Sequence, residues 1–187
     1  MDAFSYLSVL LSIILGLAIT QVLMGYRGLL LARGRVRFYA PAITWSALLL
    51  VIAAQNWWSS FGLARHRDWT FLQFSVVLLQ MALLYMMAGL VLPDIPADAP
   101  VDLKAHYYRE RRPFYLAFLL LLAVSVSKDF VLDGHLPAPE NLAFHGVFAT
   151  FSLLAALIRK PRFHEIVTPI GALVMAAYIA LLFFRLA

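Results

Sequence analysis

Long apolar stretches separated by short polar connections run the length of this chain, and six of them are long enough to cross a bilayer. They extend from Phe4 to Met24, Phe38 to Trp58, Phe71 to Leu92, Phe114 to Leu132, Leu142 to Ile158 and Ile166 to Phe184. Each holds roughly 17–22 residues, which at ~1.5 Å per residue matches a hydrocarbon layer of ~30 Å. The pattern predicts an all-α polytopic membrane protein, a bundle of six transmembrane helices in one domain, residues 1–187. Met1-Asp2-Ala3 leads straight into the first apolar run, so that run is expected to be a retained span rather than a cleaved leader.

Charge then orients the bundle. Arg27, Arg33, Arg35 and Arg37 follow the first span, Lys104, Arg109, Arg111 and Arg112 the third, and Arg159, Lys160 and Arg162 the fifth. The other side holds only Arg65, Arg67, Lys128 and Arg185. Because cationic connections are retained in the cytoplasm, both termini are expected outside, which in a bacterium is the periplasm. Trp57, Trp58 and Trp69 fall at the outer ends of spans two and three, where amphipathic rings suit the headgroup level.

Composition narrows the chemistry. The chain is 63% hydrophobic and 13% charged, about half the charge of a typical soluble domain (~25%). Its formal charge of +5 sits in connections beside apolar spans, which points to membrane lipids as partners and to no nucleic acid. There are no cysteines, which excludes thiol redox chemistry and Cys-ligated metals. No Asp, Glu, Lys, Arg or His lies near the middle of a span, which argues against a buried proton relay. His145 and His164 fall at opposite depths, unsuited to bis-histidine haem ligation. No phosphate-binding, dinucleotide, HExxH or GxSxG motif occurs. The expectation is a protein that is not an enzyme, with no cofactor and no metal.

The longest connection, Pro93 to Pro113, opens with Pro93, Pro96 and Pro100 and then reads as helix. Asp102 can cap it, and Leu103 and Tyr107 share a face at i,i+4. A short interfacial helix running into span four is expected, with Pro113 in the first turn of that span.

Three sets of polar or small residues are candidates for function. Gln55, Asn56, Lys128, Asp129 and His145, together with Ser125 and Asn141, lie within ~6 Å of the outer boundary and can line one vestibule. Lys128 and Asp129 point about 100° apart on a helix and are not expected to be a preformed pair. Ser125, Asp129 and Asp133 follow one another at i,i+4. Gln73 and Gln80 are seven apart on span three, predicting one interior polar face. Ser8, Ser12, Gly16 and Thr20 recur every four residues on span one and predict a helix-packing face, as do Gly171, Ala172, Ala176 and Ala177 on span six. The two faces can meet each other or a neighbouring subunit.

The run Ser12-Ile13-Ile14-Leu15-Gly16-Leu17-Ala18-Ile19-Thr20-Gln21, with Asn56-Trp57-Trp58 and Tyr107-Tyr108-Arg109-Glu110-Arg111-Arg112, resembles a group of uncharacterised small bacterial inner-membrane proteins. The likeness covers the first two-thirds of the chain. It implies a bacterial inner-membrane setting and carries over no catalytic or binding residue.

The expected function is a small homo-oligomeric channel or solute transporter. The alternative is an accessory or assembly subunit of a larger membrane complex. An intramembrane enzyme acting on lipid would require a catalytic constellation that the sequence does not supply.

Overall fold

The computed structural model describes residues 3–66, 68–95 and 99–183. Phe184, Arg67, Arg185 and Pro96, all used in reading the sequence, lie outside the described residues. Six helices occupy the six apolar segments: α1 (Ala3–Leu31), α2 (Ala40–Ser59), α3 (Phe71–Val91), α4 (Leu103–Asp133), α5 (Pro139–Leu157) and α6 (Pro161–Leu182). All are long and apolar enough to cross a membrane. Their outward surface carries Leu10, Ile13, Leu17, Leu116, Leu120, Leu173 and Leu181, an exposed apolar coat suited to lipid rather than water. The protein is a multi-pass membrane protein.

The helices close a ring in which α1 packs on α3, α3 on α4, α4 on α5, α5 on α6, α6 on α2, and α2 on α1. Helix α2 also touches α3 and α4, so it lies inside the ring's curve. The connections after α1, α3 and α5 gather at one end, termed the basic end. There β1 (Val36–Arg37) pairs in parallel with β2 (Val101–Asp102), aligning Val36 with Val101 and Arg37 with Asp102. So short a pairing is marginal alone. It is reinforced by Arg35, whose Nη1 donates to the Ala99 carbonyl at 2.8 Å, and by Arg37, whose Nη1 lies 3.3 Å from the Asp102 carboxylate.

Asp102 caps α4 as its position predicts, its carboxylate accepting the Ala105 N–H at 2.9 Å. The same bond, with Arg37 beside it, holds the Asp102 carboxyl below the usual carboxylate range. The helix expected in this connection runs on into span four without a break. Leu103–Asp133 is one uninterrupted helix of 31 residues, and Pro113 lies in its interior rather than in a first turn. Leu103 and Tyr107 are both buried, and this tertiary packing sustains the helix across a residue that lacks a backbone donor. At ~1.5 Å per residue α4 is longer than the hydrocarbon layer.

The small-residue face of α1 is displaced from where the sequence suggests. Its buried stripe is Leu11, Leu15, Ala18 and Val22, whereas Ser12, Gly16 and Thr20 are exposed and Ser8 is half-buried. Intramolecular packing is therefore carried by the apolar stripe, 3 and 4 residues apart, and Gly16 faces open space. The close approach occurs lower on the helix. A Cβ on Gly25 would sit 2.7 Å from Leu92 Cδ1, and one on Gly28 would sit 2.6 Å from Ile95 Cγ1, so these two glycines let the exit of α3 lie against α1. On α6 only Gly171 of the predicted small face is buried, in the line His164, Thr168, Gly171, Met175, Tyr178. Ala176 and Ala177 are exposed.

Candidate functional site

At the end opposite the basic connections, helices α2 to α6 surround a cavity of about 350 Å³. Its size is at the lower end of small-molecule sites, ~300–1,000 Å³. Gln55, Asn56, Lys128, Asp129 and His145 all line it, as do Ser125, Asp133, Asn141 and Gln80. Helical periodicity explains the contribution of α4: Phe118, Leu121, Ser125, Lys128, Leu132 fall on one face at intervals of three and four.

The two glutamines do different jobs. Thr70 and Gln73 form a reciprocal cap at the start of α3: the Gln73 N–H donates to Thr70 Oγ1 at 3.3 Å and the Thr70 N–H donates to Gln73 Oε1 at 2.8 Å. Gln73 is thus spent on its own helix end, with Nε2 also donating to the Val131 carbonyl at 3.4 Å. Gln80, only 4% exposed, reaches the cavity.

A short network fixes how Gln80 is turned. Asn56 Nδ2 donates to the Ile52 carbonyl at 2.9 Å, and a carbonyl accepts only from a donor, so Asn56 Oδ1 faces α3. Gln80 must answer with its N–H, and does, at 2.9 Å. Its Oε1 is then left buried with no hydrogen-bond partner among the described residues. Such an orphaned acceptor costs about 1–3 kcal/mol unless something fills it.

Two imidazoles add further acceptors. His145 Nδ1 donates to the Asn141 carbonyl at 2.9 Å, which leaves Nε2 of the neutral ring as an acceptor. His66, in the connection after α2, lies with Nε2 3.1 Å from Asp133 Oδ1 while Nδ1 is buried without a partner among the described residues. Tyr178 donates to Asn141 Oδ1 at 3.2 Å and forms part of the wall. Lys128 Nζ lies 3.8 Å from Asp129 Oδ1, so the two do face each other: the flexible lysine stem folds back despite their angular separation. That distance is within ion-pair range but longer than an ordinary hydrogen bond. Among the described residues, no three His, Asp or Glu side chains converge as a metal-binding set.

Below the cavity the bundle is closed by rings. Phe148 packs against Tyr178 and Phe118, and Trp45 meets Phe118, Phe114 and Tyr115 edge-on, with centroids 5.3–5.5 Å apart for the three contacts of Trp45. Nearer the basic end, Tyr107 Oη lies 2.7 Å from Tyr115 Oη and 2.9 Å from His164 Nδ1. His164 Nε2 meets the Ile158 carbonyl at 2.8 Å, which makes it the donor and Nδ1 the acceptor of the tyrosine hydroxyl. Tyr39 completes the cluster beside Tyr107 and Tyr108.

Arg111 is the largest surprise. Read as one of several loop cations, it is 2% exposed, and its guanidinium donates to the carbonyls of Ala155 and Ile158 at the end of α5. A cation at a helix C-terminus complements unpaired carbonyls and the helix dipole. Nothing in a run of basic residues distinguishes it, and the buried line of α6 that carries Tyr178 and His164 differs from the small-residue face the sequence suggested. Set against known protein family models, curated proteins and solved structures, the chain matches none.

Proposed function

We propose that this is a non-enzymatic protein of the bacterial inner membrane that admits a small polar solute into the α2–α6 cavity and passes it across the bilayer, working as a homo-oligomer. The basic connections lie in the cytoplasm and the termini in the periplasm, because that threading keeps most Lys and Arg on the retained side. The cavity then opens to the periplasm. The observation that carries this reading is the open-mouthed cavity of about 350 Å³ that gathers Gln55, Asn56, Lys128, Asp129 and His145, with the buried Gln80 Oε1 unpartnered in its wall among the described residues. A helix bundle gains nothing by gathering such polar groups around an open space, whereas a solute would satisfy them.

The aromatic column from Phe148 to Trp45 makes the cavity blind at mid-depth. Passage therefore requires α2, α4 and α5 to part there, so the protein acts as a gated carrier rather than an open pore. The test is solute flux into proteoliposomes across a panel of small polar solutes. Uptake above empty vesicles, abolished by Gln80→Leu, supports the proposal; uptake equal to empty vesicles for every solute overturns it.

A second reading, an accessory or assembly subunit of a membrane complex, draws on one observation: Ser12, Gly16 and Thr20 form an exposed stripe of small residues on α1, and among the described residues nothing lies within 4 Å of a Cβ at Gly16. Gentle native purification distinguishes the two, since this reading requires a stoichiometric second protein and the first a single component.

A further inference from the structure

A second hollow lies on the outside of the bundle, where α1 begins and α2 finishes. It measures about 370 Å³ and shares no lining residue with the solute cavity. Phe4 and Leu11 of α1, with Phe61 in the connection after α2, give it apolar walls, and no charged side chain lines it. Its hydroxyls on Ser8 and Ser60 are engaged, donating to the carbonyls of Ser5 and Trp57. The indole N–H groups of Trp57 and Trp58 make no hydrogen bond among the described residues. Trp57 is 57% exposed and Trp58 38%, against 8% for Trp45 in the core, so packing within the chain does not account for these two rings.

Depth decides what fills the groove. From Phe4 to Ser12 is ~12 Å along α1 at ~1.5 Å per residue, less than one leaflet of a hydrocarbon layer ~30 Å thick. Trp57 and Trp58 stand in the last turn of α2, where amphipathic rings meet the headgroup level. An indole N–H without an acceptor is costly beside hydrocarbon. At that level the acceptors lipid itself supplies are the ester carbonyls that join acyl chains to glycerol. We infer that this groove holds one diester phospholipid, with an acyl chain against Phe4, Leu11 and Phe61 and its ester carbonyls accepting from Trp57 and Trp58. Recognition is through the ester, so headgroup charge is indifferent here, unlike beside the cationic connections of the basic end.

The test measures lipid retained by the full chain, delipidated in detergent and re-supplied with one lipid at a time, by mass spectrometry of the intact complex. The probes are diester phosphatidylethanolamine, diester phosphatidylglycerol and the diether analogue of the first. One diester lipid per chain is expected, the two headgroups retained within about threefold of each other and the diether about fivefold less. Ser12 lines the groove from an exposed position, so Ser12→Trp should fill it and cut retention about tenfold. Trp57→Phe combined with Trp58→Phe keeps the rings, removes the donors and should bring ester and ether to one level. Equal retention of ester and ether by the parent chain overturns the inference, as does an ester preference that survives the paired Trp→Phe variant. Retention that survives Ser12→Trp, or a tenfold preference for phosphatidylglycerol, would place the lipid elsewhere and also overturns it. A chain that keeps no lipid refutes it outright, and a dimer dissociated by Ser12→Trp in that case assigns the groove to a second copy.

Discussion

Gln80 on α3 donates its side-chain N–H to Asn56 Oδ1 on α2 across 2.9 Å, and both residues are buried at the wall of the polar-end cavity. That contact joins two helices where lipid offers no alternative partner. Interhelical side-chain bonds of this kind average about 0.6 kcal/mol in membrane proteins. A double-mutant cycle with Asn56→Leu and Gln80→Leu, read by unfolding in detergent, should return a coupling of about that size. A coupling indistinguishable from zero would mean that the two amides do not hold each other.

Arg111 and Arg112 are adjacent in sequence and opposite in consequence. Arg111→Met strips the buried carbonyls at the end of α5 of their donor and should cost about 1–3 kcal/mol. Arg112 is exposed, and Arg112→Met should stay within about 0.5 kcal/mol of the parent. Comparing unfolding midpoints of the two variants in one detergent checks the assignment.

At the basic end, Asp102 gives acid sensitivity a definite sign. Its carboxyl is held low by the Ala105 N–H and Arg37, so the folded chain binds this proton less readily than the unfolded chain. Its contribution is complete above the ordinary carboxylate pKa of ~3.9 and is lost as pH falls through the lowered folded value. Asp102→Ala should lower stability by about 1 kcal/mol near neutral pH, as loss of a helix cap does, and should flatten the acid limb of an unfolding-midpoint profile.

Gly16 and Gly28 separate lipid-facing from packed positions on α1. A Cβ added at Gly16 meets no atom within 4 Å among the described residues, so Gly16→Leu should leave unfolding unchanged within about 0.5 kcal/mol. Gly28→Leu drives into Ile95 and should cost about 1–3 kcal/mol. If copies associate through the α1 stripe, Gly16→Leu also lowers the yield of cross-linked oligomer in membranes.

Spans and caps were legible because bilayer thickness and helix geometry act on every residue of a segment, and a cap such as Asp102 acts locally. The grouping of Gln55, Asn56, Lys128, Asp129 and His145 was legible for a related reason: equal depth at one end of a bundle leaves little room for polar groups to be apart. Azimuth was not legible. Which face of α1 turns inward depends on where α3 lies, so the sequence's regular small stripe pointed away from Gly25 and Gly28. Gln73 went to a cap because Thr70 stands three residues before it. Arg111 could not be told from Arg109 or Arg112, because its burial is decided by the end of α5, 44 residues along the chain.

The proposed solute cavity opens at the end where α1 begins and α6 finishes and is closed below by the aromatic column. Two single-cysteine variants test it directly, Ser125→Cys in the cavity and Thr168→Cys, buried on α6 beyond the column. With a membrane-impermeant maleimide applied to intact cells, Ser125→Cys should label readily and Thr168→Cys should remain unlabelled. Labelling of both at similar rates, or of neither, would contradict the account.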